Sequence, residues 1–492
     1  RTPSFPHPHA PPIQQNKLIL HERRSFTSHS CIKLGWGDGG VQVKDYVFHR
    51  DLTKTYPIIT HGKGVYLYGE DGKRYLDGCS GAVAANLGHG DKRIAEAIAL
   101  QAEKAAFVHT MRFETPVLHK LAEKIGKLAP GSLNRVYFTC GGSEANESAI
   151  KLSRQYFRNR GEPEKQVVIG RWQSYHGNTI GSLSAGGDIK RRQPYNGYLL
   201  PFQHVSAPHC LHCPFNREES DCETKKDWSC VTELERLILE IGPSQVSAFI
   251  AEPFTGSQAG AVPSPMSYFR EVRALCDRYD VLLIIDEVMT GFGSTGAHFA
   301  IEHYGVEPDI ITFGKGVSGG YSALGGMIVH DKIIDTLLQY GDGKFVHGYT
   351  YSGHPVTVAA GLAAMDIYER EHILRNVNEL EGHLFEGLDN LRKKYSIVYD
   401  VRGKGLFFGI ELASNQDGQP FAPDLRIAER LNEKAMELGA VFYPGNGTVN
   451  GYAGDHLIIA PPLIISEREE DELISLLDDA LKDLADSLKE GT

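Results

Sequence analysis

Two short apolar runs, each leading to a charge, constrain this chain more than any other feature. Val281-Leu282-Leu283-Ile284-Ile285 ends at Asp286, and Ile310-Ile311-Thr312-Phe313 leads through Gly314 to Lys315. Each run is rich in aliphatic and β-branched residues, too short for a helix and without polar alternation. Each therefore reads as a parallel strand buried on both faces. A charge at the carboxyl end of such a strand faces the crevice where α/β sheets bind ligands. An amine there can form a Schiff base, and a neighbouring carboxylate can pair with a protonated ring nitrogen. Taken alone, the two residues also fit an ordinary ion pair at a strand mouth.

A second element bears on the choice. Arg135-Val136-Tyr137-Phe138-Thr139 reads as a strand, Cys140-Gly141-Gly142-Ser143 as a turn, and Glu147 to Phe157 as a helix. Strand, glycine pair and helix start make an anion site, because backbone N–H groups point outward and the helix dipole favours negative charge. Ser143 would cap the helix or bond a phosphate. Many strand–helix turns share this pattern. After the apolar Val167-Val168-Ile169 comes Ser174-Tyr175-His176-Gly177-Asn178-Thr179. Tyr175 there would stack on a flat heteroaromatic ring, or sit half-buried as a core tyrosine.

With these stretches the chain resembles the class III (ω-type) aminotransferases of the fold-type I pyridoxal-phosphate enzymes. The matching segments run in family order from about residue 45 to about residue 480. They include Asn86-Leu87-Gly88-His89-Gly90, Gly141-Gly142-Ser143-Glu144-Ala145-Asn146, Ala251-Glu252-Pro253, Ile285-Asp286-Glu287-Val288, Phe313-Gly314-Lys315-Gly316, Tyr349-Thr350-Tyr351-Ser352-Gly353, Arg402-Gly403-Lys404-Gly405 and Ala460-Pro461-Pro462-Leu463. The resemblance implies an α/β fold with a mainly parallel sheet in a large domain and a smaller α+β domain built from both chain ends. It implies pyridoxal 5'-phosphate as cofactor. Lys315 would hold it covalently and shuttle a proton, and Asp286 would keep its ring nitrogen protonated. Val288 and Tyr175 would pack on its two faces, with His176 and Glu252 beside it. Gly142 and Ser143 would bind its phosphate. Thr350 would reach the phosphate of a neighbouring subunit, so a homodimer, or a tetramer of paired dimers, would share the active site. The implied reaction moves an amino group from a primary amine or ω-amino acid to a keto acid in two half-reactions. A decarboxylase or lyase on the same scaffold, or a non-catalytic metal-holding descendant, are the competing readings.

The chain departs from the family pattern at the acceptor side. Several members clamp a substrate carboxylate with an arginine shortly before the Ala-Pro-Pro-Leu stretch. Here Thr448 to Ile459 contains none, and Ser257-Gln258 stands where some branches carry a glutamate. A small acceptor, pyruvate, is therefore expected over 2-oxoglutarate. The small residues of Ser80-Gly81-Ala82-Val83-Ala84-Ala85 suggest a roomy substrate pocket at Val83. Arg112 and Arg402 are the alternative carboxylate partners, each with a structural reading beside it.

Composition narrows the rest. The 492 residues suffice for more than one globular unit, and 41% apolar with 23% charged residues is ordinary for a soluble enzyme. A net charge of −11 leaves no basic footprint for nucleic acid. Neither a membrane-length apolar run nor a signal-peptide core is evident. A cytoplasmic enzyme is expected, with an organelle left open by the Arg- and Ser-containing start. Residues 1–40, proline-rich at first, read as a disordered leader or non-native extension. Residues 41–95 and 366–492 are assigned to the small domain and 96–365 to the large cofactor domain. Of eight cysteines, four cluster as Cys210, Cys213, Cys222 and Cys230, with His209 and His212 alongside. A Cys-x2-Cys followed by two thiols fits a metal site, but the downstream spacing is irregular, so free thiols in an insertion are expected and no metal is assigned.

Overall fold

The structure, a computed structural model, describes residues 46–490. The expectation for residues 1–40 lies outside the described residues. The chain divides into two units, one up to Tyr56 and one from Pro57 to the end. In the first, the described residues 46–56 form no helix or strand, and a turn at Asp51 is closed by its side chain accepting from the Thr53 backbone.

The second unit is built on a seven-stranded sheet. In spatial order its strands are Leu133–Thr139, Gly325–His330, Ile310–Phe313, Leu282–Asp286, Val246–Ala251, Val167–Arg171 and Gln203–Val205. The last five named are mutually parallel, and Gly325–His330 runs antiparallel to both of its neighbours. The fold is thus the mixed α/β architecture with a mainly parallel sheet.

Both faces of this sheet are covered, which is why its strands read as continuous apolar runs. Ile284, Ile310, Ala248 and Ile250 point to one side and pack with Ala149, Ile150, Leu152 and Phe157 of the helix Gly142–Asn159. Leu283, Ile285, Ile311 and Phe249 point to the other side, into the larger core. The alternation along Leu283-Ile284-Ile285 follows the two-residue period of a strand.

Segments from the two ends of the unit meet in smaller sheets. The strands Ile59–Lys63, Tyr66–Gly69 and Arg74–Asp77 form a meander whose last member pairs, in parallel, with Ala440–Val441. An antiparallel sheet of Val398–Lys404, Phe407–Leu412, Ala453–Ile459 and Tyr443–Val449 completes the C-terminal part. The helix Glu467–Glu490 closes the fold. Among the described residues no helix is long and apolar enough to cross a membrane.

Register sets up the functional site. Asp286 is the last residue of its strand and pairs with Thr312, three positions before Lys315. Both charges therefore emerge at the carboxyl edge of adjacent parallel strands. The buried strand that carries Asp286 should be sensitive to volume: Ile284→Ala should cost about 2–5 kcal/mol in stability. The exposed Leu239→Ala should stay within about 0.5 kcal/mol. Thermal unfolding of the two variants beside wild type checks the contrast.

Candidate active site

A cleft of ≈ 440 Å³ opens at that edge, lined among others by Lys315, Asp286, Ser143, Tyr175, Glu252 and Val288. Roomier surface grooves of 720 and 760 Å³ exist. The 720 Å³ groove carries surface ion pairs such as Lys127–Glu123 and Lys124–Glu369. The smaller cleft is the one that gathers buried ionisable groups.

Asp286 is its most tightly held member. The side chain is 4% exposed. Its Oδ2 accepts from Asn146 Nδ2 at 2.7 Å and from His176 Nδ1 at 2.8 Å, and its Oδ1 accepts from the Val288 backbone N–H at 2.9 Å. Asn146 is fixed in turn, accepting from Thr312 Oγ1 at 2.7 Å and donating to the His176 carbonyl at 2.8 Å. Three donors thus fill the lone pairs of one buried carboxylate. His176 has one ring nitrogen committed to Asp286, and its buried Nε2 has no partner.

Lys315 stands opposite. Its backbone adopts φ = 47° between two glycines, a left-handed conformation that costs a residue with a Cβ about 1–3 kcal/mol. Burial among the cleft walls pushes its amine down to about 8, with Asp286 and Glu252 pulling the other way. Glu252 is 6% exposed, and burial raises its carboxyl to about 7 against the pull of His176 and Arg171. One of its oxygens accepts from the Gly256 backbone at 3.3 Å, and the other is buried without a partner.

The phosphate-type cradle is the start of the helix Gly142–Asn159. Packing is tight there: a Cβ on Gly142 would meet Val288 Cγ1 at 2.6 Å, and one on Gly177 would meet Ser143 Oγ at 2.4 Å. A Cβ on Gly141, just before the helix, would meet nothing within 4 Å. Ser143 Oγ accepts from the Asn178 backbone at 3.1 Å and keeps its own hydrogen to donate. Open space before exposed N–H groups is what an anion needs. Tyr175 lines the same cleft, with its hydroxyl accepting from Asn178 Nδ2 at 3.0 Å and the Arg191 guanidinium 5.0 Å from its ring centre.

Other sequence candidates lie elsewhere. Val83 belongs to the core, 2% exposed, and it is Ala84 that reaches the cleft. Arg402 is not free for a substrate. It pairs with Asp400 and Glu411 at 2.7 Å each and donates to the carbonyls of Gly260 and Ala259 at 3.0 and 2.5 Å. Arg112 and Thr350 are both exposed and do not line the cleft of a single chain. The four clustered cysteines are free thiols that share a 20 Å³ cavity with His209. Burial pushes Cys210 and Cys230 up to about 12. Among the described residues no three of the four thiols lie at the mutual distances of a metal site.

Two residues of the site were not singled out from sequence. Asn146 lay within a matched segment, and a polar residue one position after Ala145 on a helix facing a sheet was the available signal. Arg191 carried no local signal, since only the folded loop brings it over Tyr175.

The class III aminotransferase family matches residues 47–481. A diaminobutyrate–2-oxoglutarate transaminase of Halomonas elongata is 37% identical over 445 residues, covering 88% of this chain and 92% of that protein. A putrescine–pyruvate aminotransferase of Pseudomonas aeruginosa is 35% identical over 425 residues, covering 85% and 89%. Among solved structures, an (S)-enantioselective ω-transaminase from Thermomicrobium roseum superimposes with a TM-score of 0.81 at 36% identity, over 88% of this chain and 94% of that one. The chain belongs to the class III aminotransferases. It is an enzyme that transfers amino groups between an amine and a keto acid, with pyridoxal 5'-phosphate as cofactor.

The residues present fit that cofactor. The buried carboxylate of Asp286 suits a protonated ring nitrogen, and the space before Gly142 suits a phosphate. The half-satisfied Glu252 leaves an acceptor for a ring substituent. A neutral lysine amine is the form that attacks a carbonyl. The Lys315 amine is lowered, so its neutral form dominates above about pH 8. Covalent capture of pyridoxal phosphate by cofactor-free protein should therefore speed up with pH and level off above about 8. Stopped-flow absorbance across pH 6–10 checks this, and a rate still climbing steeply at pH 10 would contradict it.

Proposed function

We propose that this enzyme moves an amino group from a primary amine or ω-amino acid to a small keto acid, pyruvate above 2-oxoglutarate, in two half-reactions. Pyridoxal phosphate, when bound, supplies the electron sink for a carbanion at the amine carbon. The chain's own residues supply the rest. Lys315 Nζ holds the cofactor and then carries the proton that must move between substrate and cofactor. Asp286, fixed by Asn146 and His176, keeps the ring nitrogen protonated. Val288 and Tyr175 flank the ring, and Ser143 with the Gly142 N–H binds its phosphate.

The observation that carries the acceptor reading is the wall at Ser257. There, His456 of the hairpin Tyr443–Ile459 donates from Nε2 to the Ser257 carbonyl at 3.2 Å, and its Nδ1 bonds Thr448 Oγ1 at 3.1 Å, so both of its ring nitrogens are used. Gln173 ties the same hairpin down through the carbonyls of Gly447 and Thr448, each at 2.8 Å. No arginine lies on this hairpin. A second substrate carboxylate desolvated against it would lack a guanidinium partner, a large penalty. The nearby cations are engaged: Arg191 pairs with Asp188 at 2.8 Å, and Lys190 donates to Asn446 Oδ1 of the hairpin.

The site is proposed to be completed by a second copy of the chain. Thr350 sits beside Tyr351, and the surface around it is apolar and exposed. Tyr351 is 56% exposed and packs edge-on against Phe107, with Met111 and Phe113 79% and 66% exposed. Such a surface on an enzyme fits burial against another subunit, and Arg112 belongs to it.

Two outcomes test these readings. In a panel of keto acids, kcat/KM for pyruvate should exceed that for 2-oxoglutarate by at least about tenfold, or about 1.4 kcal/mol of differential transition-state binding. Equal or better use of 2-oxoglutarate would overturn the acceptor reading, and Arg191→Ala and Arg112→Ala would then identify the residue responsible. Thr350→Ala should weaken cofactor retention by about 1.5–3 kcal/mol, the worth of a charge-assisted phosphate bond. A dilution series that leaves a fully active monomer would refute the shared site.

A further inference from the structure

Outside the active site, one cluster of buried polar groups is left incomplete. His209 and His212 lie on the loop between the strand Gln203–Val205 and the helix Glu219–Lys225, and Glu411 lies on the strand Phe407–Leu412. One donor atom from each falls within 4.8 Å of the other two. We propose that these three residues bind one divalent transition-metal ion, zinc by donor chemistry, as a staple between that loop and the C-terminal sheet.

His209 carries the argument. It is 4% exposed, and neither of its ring nitrogens has a hydrogen-bond partner. Leaving a buried polar group unsatisfied costs about 1–3 kcal/mol, so native proteins rarely do it without a reason. An ion would take up one of the two nitrogens. The His209 and His212 rings meet edge-on, 4.9 Å apart at 82°. His212 Nε2 faces Glu411 Oε1 in direct hydrogen-bond contact. An ion replacing that hydrogen would move the His212 tautomer to Nδ1 and part the two atoms to about 3.3 Å, the spacing of neighbouring ligands around tetrahedral zinc.

The surroundings suit a cation. Asp400 and Glu411 both face the single guanidinium of Arg402, so these three side chains carry a net negative charge. Arg402 also fixes the second oxygen of Glu411, as outer partners orient metal ligands. Two imidazoles and a carboxylate form a donor set that zinc takes with a fourth position left open. Through Arg402 the staple reaches the carbonyls of Ala259 and Gly260, two and three residues beyond Ser257 of the cleft wall. The competing donor set is the four-thiol cavity that His209 also lines.

The test uses the full-length holoenzyme. After incubation with zinc and desalting, wild type should retain about one zinc per chain, and His209→Ala and His212→Ala should lower this by about tenfold or more. Cys210→Ser and Cys213→Ser should leave it unchanged. Cobalt(II) in wild type should give weak visible bands without the intense ultraviolet charge transfer of a thiolate ligand. Wild-type protein that retains no zinc would overturn the proposal, as would retention lost in the cysteine variants but kept in the histidine ones, or a thiolate band. Should the histidine variants fail to fold, the zinc content and cobalt spectrum of wild type decide alone.

Discussion

The carboxylate of Asp286 is the point on which the site depends. A buried charge is costly unless its lone pairs are filled, and here three donors fill them. Those donors come from three separate places: the Asn146 helix, the His176 loop and the backbone at Val288. Holding one carboxylate therefore aligns the phosphate-side helix, the aromatic wall and the strand end. Asn146 couples the arrangement onward to Thr312, three residues before Lys315. The lysine and the aspartate are positioned by one connected network that passes across the sheet edge.

The network also divides the electrostatic work. Asp286 is held by three hydrogen bonds. Glu252, with one unpartnered oxygen in the same desolvated cleft, is pushed up to about 7. The Lys315 amine is pulled down to about 8 by the same burial. Burial thus brings the pKa values of the Glu252 carboxyl and the Lys315 amine close to each other near neutrality, where a proton can move at little cost. The strained backbone at Lys315 fits this picture, since such strain persists where surrounding packing over-determines it.

Much of this was legible in the sequence because strand ends leave a local mark. The run 281–285 could only be a buried strand, so the place of Asp286 followed, and the same held for Lys315 after Phe313. A helix after the glycine pair was expected from Glu147, but it starts at Gly142 itself, so Ser143 lies inside its first turn and does not cap it. What sequence hid were side chains whose partners are distant. Arg402 looked available for a substrate until strand pairing set Asp400 opposite Glu411 with the guanidinium between two carboxylates. Val83 and Ala84 are neighbours, and only the turn at Ser80–Val83 decides which one faces the cleft. Arg191 lies in a polar stretch with no motif, and its place over Tyr175 is a property of the folded loop. The thiols at 210–230 drew attention by spacing, yet it is His212 between them that meets the carboxylate of Glu411, 199 residues away, with His209 beside it.

The central claim is that Lys315, set against Asp286, is the residue that carries the cofactor. Borohydride reduction of the holoenzyme followed by peptide mass mapping tests it most directly. One phosphopyridoxyl increment per chain should appear on the peptide that contains Lys315. The same increment on a different lysine, or none on any, would contradict the account.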